Sequence, residues 1–278
     1  MPQVSTAALA RDARRRGRGL GAFNVVHLEQ ARAYESAARE AGVGVVLQLS
    51  ENAVAHHGGL TAYAAGVLAL ARGSDVPVAV HLDHAEDVDL VSAAVDLGFS
   101  SVMYDGSRLP YEQNLAATAG VVRACRSSGV DVEAELGEVG GKDGAHHPTA
   151  RTDPAEAAAF VAATGVDLLA VAVGSSHAMT DRDARLDVEL VTRLAAAVPV
   201  PLVLHGSSGV SDAGLVAAVA AGIVKVNVAT HLNRVFTAEV RRVLAAEPTL
   251  VDTRRWTTAG ARAAGAEAQR LLELYRTA

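Results

Sequence analysis

The chain has 278 residues and a mass of 28.5 kDa, a length that suits one α/β barrel of roughly 250 residues. Half of the residues are hydrophobic and only 4% are aromatic, so a core must come from Ala, Val and Leu, as in buried parallel strands under helices. A formal charge of −6 with a pI near 5.9 argues against a nucleic-acid partner, and the single cysteine, Cys125, rules out an intrachain disulfide and fits a reducing compartment.

Short apolar runs alternate with longer Ala-rich segments of 3.6-residue period, the pattern of a parallel sheet built from β/α units. A first helix is predicted at Ser5–Arg16, then a strand at Gly19–Asn24 followed by a helix at Leu28–Ala41. Strands at Val43–Ser50, Val78–Asp83 and Ser101–Asp105 precede helices at Leu60–Arg72, Val88–Leu97 and Pro110–Ser127. Strands at Val130–Glu135 and Leu168–Gly174 precede helices at Pro154–Thr164 and Val188–Ala197. The last pairs are Pro201–His205 with Asp212–Ala221 and Val224–Val228 with His231–Ala245, before a final helix near Ala259–Tyr275. Pro110 and Pro154 sit where a missing N–H costs nothing, and Asp153 and Ser211 can cap. The expected fold is a (β/α)8 TIM barrel, one domain over 1–278 with an N-terminal helix and a C-terminal helical extension. The long polar connection Gly137–Thr152 reads as a functional loop, in the manner of a lid. No run of about 18 apolar residues and no charged-then-apolar start is present, so neither a membrane span nor a leader is expected, and the location expected is cytoplasmic.

Barrels of this kind build their sites at the C-terminal ends of the strands. The apolar runs here end in Asn24, in Gln48 and Ser50, in Asp83 and His84, in Asp105 and Ser107, and in Glu135; His177 follows strand six, His205 ends strand seven, and Asn227 and Thr230 end strand eight. Three imidazoles, from His84, His177 and His205, can converge over the mouth with one position open, the layout of a catalytic zinc site. Asp83 is either a general acid/base or a carboxylate that orients a histidine, and His81 is read as a support of that second kind. Asp105 and Glu135 could bind a second metal position or hydrogen-bond to loops. The segments His205-Gly206-Ser207-Ser208-Gly209 and Asn227-Val228-Ala229-Thr230 lie where barrels commonly bind phosphate. His27, His56, His57, His146, His147 and His231 are read as loop, capping or solvent-facing residues, and Trp256 as a packing anchor before the last helix.

From Leu20 to Phe236 the chain resembles the class II zinc-dependent fructose/tagatose-bisphosphate aldolase family, and particularly its tagatose-bisphosphate-like branch. The resemblance rests on Ala22-Phe23-Asn24, His81-Leu82-Asp83-His84, Glu133 to Glu138 with Gly140-Gly141, Val173 to His177, Leu204 to Gly209 and Lys225 to Thr230. It implies that His84, His177 and His205 bind zinc, that Asp105 and Glu135 match ligands of a second divalent metal position, and that Asp83 donates and accepts the proton at the aldehyde oxygen. It further implies that Gly174, Gly206, Ser208, Asn227 and Thr230 hold the dihydroxyacetone phosphate half beside a monovalent cation, while Asn24 and Ser50 meet the sugar end. Zinc would then offset the charge of an enediolate, and no lysine Schiff base is needed.

Some positions depart from the family pattern. The lysine that many members carry after the sixth-strand histidine is absent, Ala229 stands where fructose-specific members have Asp, and Asn233, with Arg234 adjacent, stands where some members place an arginine for the distal phosphate. In the loop, Lys142-Asp143 replaces a more acidic pair, which leaves Asp143 as the proton-transfer helper. The expected activity is reversible cleavage of tagatose or fructose 1,6-bisphosphate to dihydroxyacetone phosphate and glyceraldehyde 3-phosphate. The alternatives are an aldolase for a ketose 1-phosphate, a zinc hydrolase on the same barrel, and a non-catalytic sugar-phosphate binder. The partner expected is a small phosphorylated sugar, with a homo-oligomer, dimer or tetramer, as a prior.

Overall fold

The strands Val45–Ser50 and Val78–Ala85 open on the unbroken apolar runs Val45–Leu47 and Val78–Val80, because strands of a helix-covered parallel sheet are buried on both faces, and carry their polar residues in the later half. The computed structural model describes residues 3–137 and 150–276; Lys142, Asp143, His146 and His147 lie outside them. Helix α1 (Thr6–Arg15) leads to β1 (Leu20–Asn24), α2 (Leu28–Ala41), β2 (Val45–Ser50), α3 (Glu51–His56) and α4 (Leu60–Gly73). Then come β3 (Val78–Ala85), α5 (Val88–Leu97), β4 (Ser101–Tyr104), α6 (Tyr111–Arg126), β5 (Asp131–Leu136) and α7 (Pro154–Thr164). The remainder is β6 (Leu168–Val171), α8 (Val188–Ala197), β7 (Leu202–Leu204), α9 (Asp212–Ala221), β8 (Ile223–Val228), α10 (Thr230–Ala246) and α11 (Thr253–Leu274).

The strands pair in chain order, all parallel, and close on themselves: Ala22 of β1 is in register with Val46 of β2 and with Asn227 of β8. This is the (β/α)8 barrel. Alternation along each strand divides the apolar residues into two groups. The outward set packs beneath the helices, with Phe23, Leu47, Leu49, Leu82 and Leu169 fully buried. The inward set at the lower end, including Leu20, Val46, Ala79, Leu168 and Val203, is plugged by Ala7, Ala10 and Ala13 of α1. Small alanines let that helix approach the barrel floor closely. The floor is sealed by this apolar packing together with a buried hydrogen bond between Thr6 of α1 and Ser101 at the start of β4.

Several elements differ from the reading of the sequence. Helix α3 occupies residues read as loop; Ser50 caps it, accepting from Ala53 N at 3.2 Å, and six residues are too few for a visible period. Strand β6 stops at Val171, three residues before Gly174, and a 3-10 turn forms over Ser207–Gly209. Helix α11 starts at Thr253, capped by the Asp252 side chain, so Trp256 lies inside its first turn and not ahead of it. That helix packs along α2 and α10, outside the ring that closes the barrel. No helix among the described residues is long and apolar enough to cross a membrane.

Candidate active site

Consecutive strand residues normally face opposite sides, yet both Asp83 and His84 reach the barrel mouth. The register of β3 against β4 shifts between Leu82 and Ala85, and His84 has φ 52°. This bulge turns both side chains inward, at the expense of about 1–2 kcal/mol for a left-handed non-glycine residue. Strain of that kind is held where the surrounding contacts over-determine it.

Those contacts are specific. His84 Nδ1 lies 2.7 Å from Asp105 Oδ2, and His205 Nε2 lies 2.9 Å from Glu133 Oε1. Pairing with these carboxylates assigns the proton to His84 Nδ1 and to His205 Nε2, which also has Asn227 Nδ2 at 3.0 Å, and leaves lone pairs on His84 Nε2 and His205 Nδ1. These two atoms face each other at 2.8 Å. Two lone pairs so placed require a cation or a proton between them. His177 and the buried Glu135 complete the group, and the ligand atoms of all four residues lie within 4.8 Å of one another. The donor set and the carboxylates behind it fit a zinc ion, because metal-binding histidines are commonly oriented by such partners. Burial pulls the His84 pKa down, but Asp83, Asp105 and Glu135 outweigh it and push it up to about 9.

Asp83 lies beside this cluster and outside it. Its Oδ2 accepts from Asn24 Nδ2 at 2.8 Å and its Oδ1 from Asn227 Nδ2 at 3.4 Å, while Gln48 Nε2 holds Asn24 Oδ1 at 3.0 Å. Burial raises the carboxyl pKa, but His84, His205, Lys225 and the Asn24 hydrogen bond together bring it below its usual value. Asp83 is therefore an ionised carboxylate aimed at the mouth. Asp105 stands outside the four-residue group: Oδ2 serves His84, and Oδ1 accepts from Ser107 N and Oγ at 3.2 and 2.7 Å.

One layer below, Lys225 Nζ donates to Glu133 Oε2 at 2.7 Å with both side chains fully buried. His81, the support residue of β3, has Nδ1 2.7 Å from Ser101 Oγ and Nε2 3.8 Å from Glu133. Reading from strand ends overlooked Glu133 and Lys225. The signal was there: each is two positions before a mouth residue, Glu135 or Asn227, hence on the same inward face, and charges inside apolar strands must pair.

The Gly206–Gly209 turn is shaped for an anion. Gly206 has φ +65°, and a Cβ there would fall 2.7 Å from the Ser176 backbone, so only glycine fits. The two serines differ. Ser207 Oγ donates to the Asn227 carbonyl, whereas Ser208 Oγ accepts from His231 N at 3.0 Å and keeps its own proton for the cleft. A cleft of about 180 Å³ runs from Asn24, Ser50 and Asp83 past the histidines to Gly206, Ser207, Ser208, Asn227, Ala229 and Thr230. Asn52 and Ala178 also line it and were not foreseen. Gly174 does not: at φ +110° it faces Arg185 O and the Arg151 guanidinium. His231, read as capping or solvent-facing, instead lies 2.6 Å from Glu267.

A closed parallel barrel whose mouth gathers three imidazoles and a carboxylate beside an anion-shaped turn has the layout of a metal-dependent barrel enzyme. Residues 4–278 match the family model for class-II fructose-bisphosphate aldolase, and the chain belongs to that family of lyases, zinc-dependent in general. It is 38% identical over 282 residues to the fructose-bisphosphate aldolase of Thermus caldophilus, covering 91% of each chain. It is 37% identical over 259 residues to that of Geobacillus stearothermophilus, covering 92% of this chain and 90% of the relative. The crystal structure of the YdjI aldolase from Escherichia coli K12 superposes with a TM-score of 0.87 at 30% identity, over 99% of this chain and 97% of that one.

Proposed function

We propose that this chain reversibly cleaves a ketose 1,6-bisphosphate, tagatose or fructose, to dihydroxyacetone phosphate and glyceraldehyde 3-phosphate. The observation that carries the reading is the facing pair His84 Nε2 and His205 Nδ1 at 2.8 Å, each backed by a carboxylate, with Asp83 ionised beside them. His84, His177 and His205 would hold zinc, with Glu135 within reach. A bound zinc ion supplies a Lewis acid that offsets negative charge on the ketose oxygens as the carbon–carbon bond opens.

The chain's own groups supply the rest. Asp83, steadied by Asn24 and Asn227, takes the proton from the hydroxyl of the carbon that becomes the aldehyde, and returns it in the condensation direction. The amides of Gly206, Ser207 and Ser208, the Ser208 hydroxyl and the start of α10 at Thr230 receive the phosphate of the three-carbon half, while the Gly209 amide closes the turn on Gly206 O. Asp143 is assigned the second proton transfer, at the carbon that keeps the phosphate half. Ala229, apolar at the entrance to α10, supports tagatose over fructose. A second reading is a ketose 1-phosphate: Asn233, at the position given to a distal-phosphate arginine, is neutral and accepts from Gln30 Nε2 at 3.4 Å.

The test is release of dihydroxyacetone phosphate from both bisphosphates, with zinc, with chelator, and with Asp83→Asn. Chelator-sensitive release that falls at least about 100-fold in the variant is expected. No release from any ketose phosphate by zinc-loaded protein would refute the assignment.

A further inference from the structure

Behind the anion turn, charged side chains close a ring that the proposed reaction does not use. His231, the second residue of α10, gives its backbone N–H to Ser208 Oγ at 3.0 Å, and its Nε2 lies 2.6 Å from Glu267 Oε1 on α11. Arg270, one turn further along α11, donates to Glu267 at 2.7 and 2.9 Å and to Asp212 Oδ2 at 2.6 Å. Asp212, at the start of α9, accepts from Arg182 Nη2 at 2.7 Å, and Arg182 Nε donates to Val210 O at 2.8 Å. Val210 is two residues beyond Ser208, so the path returns to the turn where it began. It joins the β6–α8 loop, the first turns of α9 and α10, and the last helix.

We propose that Glu267 is a positioning residue for phosphate binding: from α11 it fixes His231, and through His231 both the Ser208 hydroxyl and the entry of α10. This rests on reading Gly206–Gly209 and Thr230 as the phosphate cradle. Single exposed ion pairs contribute little. Glu267 and His231, however, are only 17% and 16% exposed in their side chains, and Glu267 accepts from the Arg270 guanidinium through both oxygens while its Oε1 also lies against His231 Nε2. The consequence is directional. Ser208 can turn its proton into the cleft because its acceptor site is filled by His231 N–H, and that N–H stays in place only while α10 is held. Loss of Glu267 loosens the donors to phosphate and leaves Asp83, His84, His177 and His205 in place, since the hydrogen bonds of the ring run through none of them. Binding should weaken while turnover of bound substrate persists.

The experiment measures inorganic phosphate affinity by calorimetry on the zinc-loaded full chain, alongside KM and kcat for cleavage. The variants are Glu267→Gln and Asp212→Asn, which break the ring at opposite sides, with Glu273→Gln on the same helix as the control. Both ring variants should raise the phosphate Kd and KM together by about three- to tenfold, the scale of one mispositioned hydrogen-bond donor. In both, kcat should stay within about twofold and zinc content should be unchanged; Glu273→Gln should match the wild type. If Glu267→Gln does not fold, Asp212→Asn reads the same ring. Unchanged phosphate affinity and KM in folded ring variants overturns the proposal and leaves the cradle standing. Wild-type protein that turns over substrate but binds no phosphate overturns the cradle and the proposal with it.

Discussion

Lys225 and Glu133 form an ion pair at 2.7 Å with both side chains fully buried in the barrel, and removing one charge tests whether the layer beneath the histidines is held by that pair. Lys225→Met keeps most of the side-chain volume and removes only the ammonium. Glu133 then retains His205 Nε2 at 2.9 Å, with His81 Nε2 at 3.8 Å. Breaking a buried pair costs about 3–5 kcal/mol, and the surviving His205 contact puts this case near the lower end, about 3 kcal/mol. At roughly 2–4 °C per kcal/mol for a chain of this size, Tm should fall by about 6–12 °C. The double variant Glu133→Gln/Lys225→Met removes both charges and should recover most of the loss. Urea unfolding of metal-free protein, read by circular dichroism, supplies the cycle; a coupling of about 2 kcal/mol or more is expected. A single variant within about 0.5 kcal/mol of wild type, or a double variant no more stable than the single, refutes the reasoning.

Ala178 follows His177 with φ 57°, so Ala178→Gly should stabilise the chain by about 1 kcal/mol, seen as a higher urea midpoint at unchanged slope; a lower midpoint counts against strain there. With the His84 pKa pushed up to about 9, zinc must displace a proton at neutral pH. Zinc affinity should then rise by about tenfold per pH unit between pH 6 and 8, and calorimetry in buffers of different ionisation enthalpy should register close to one proton released. A flat profile would mean that His84 is already neutral. The Glu267 pKa, which burial raises, is brought down to about 2 by Arg270 and His231. A depressed carboxylate contributes stability that is fully present above its ordinary 4.5 and is lost as pH falls toward about 2. The stability gap between wild type and Glu267→Gln should therefore shrink on acidification below about pH 4.5; a constant gap contradicts the pairing.

The barrel and the mouth residues were legible because both obey short-range rules. Apolar runs at β/α spacing specify the parallel sheet, and polar residues that end those runs fall at its C-terminal rim, as Asn24, Asp83, His205 and Asn227 do. Legibility failed where a residue's place depends on a neighbour far along the chain. Glu133 and Lys225 sit mid-strand, and only closure of the ring puts β5 opposite β8 and makes them partners. Gly174 carries a family motif, but β6 ends at Val171 and the chain turns Gly174 toward Arg151 and Arg185, away from the cleft.

Alternation along the chain, a local and periodic property, determined the eight strands, their covering helices and the set of side chains that could reach the mouth. Tertiary structure alone decided which nitrogen of His84 and His205 faces the cluster, since Asp105 and Glu133 take the other one. It also gave Ser207 to the Asn227 carbonyl and Ser208 to His231, and tied α11 to the anion turn through Glu267. A hydrogen bond is fixed by angstrom-scale distances between atoms that the sequence separates by dozens of residues, and no period encodes those.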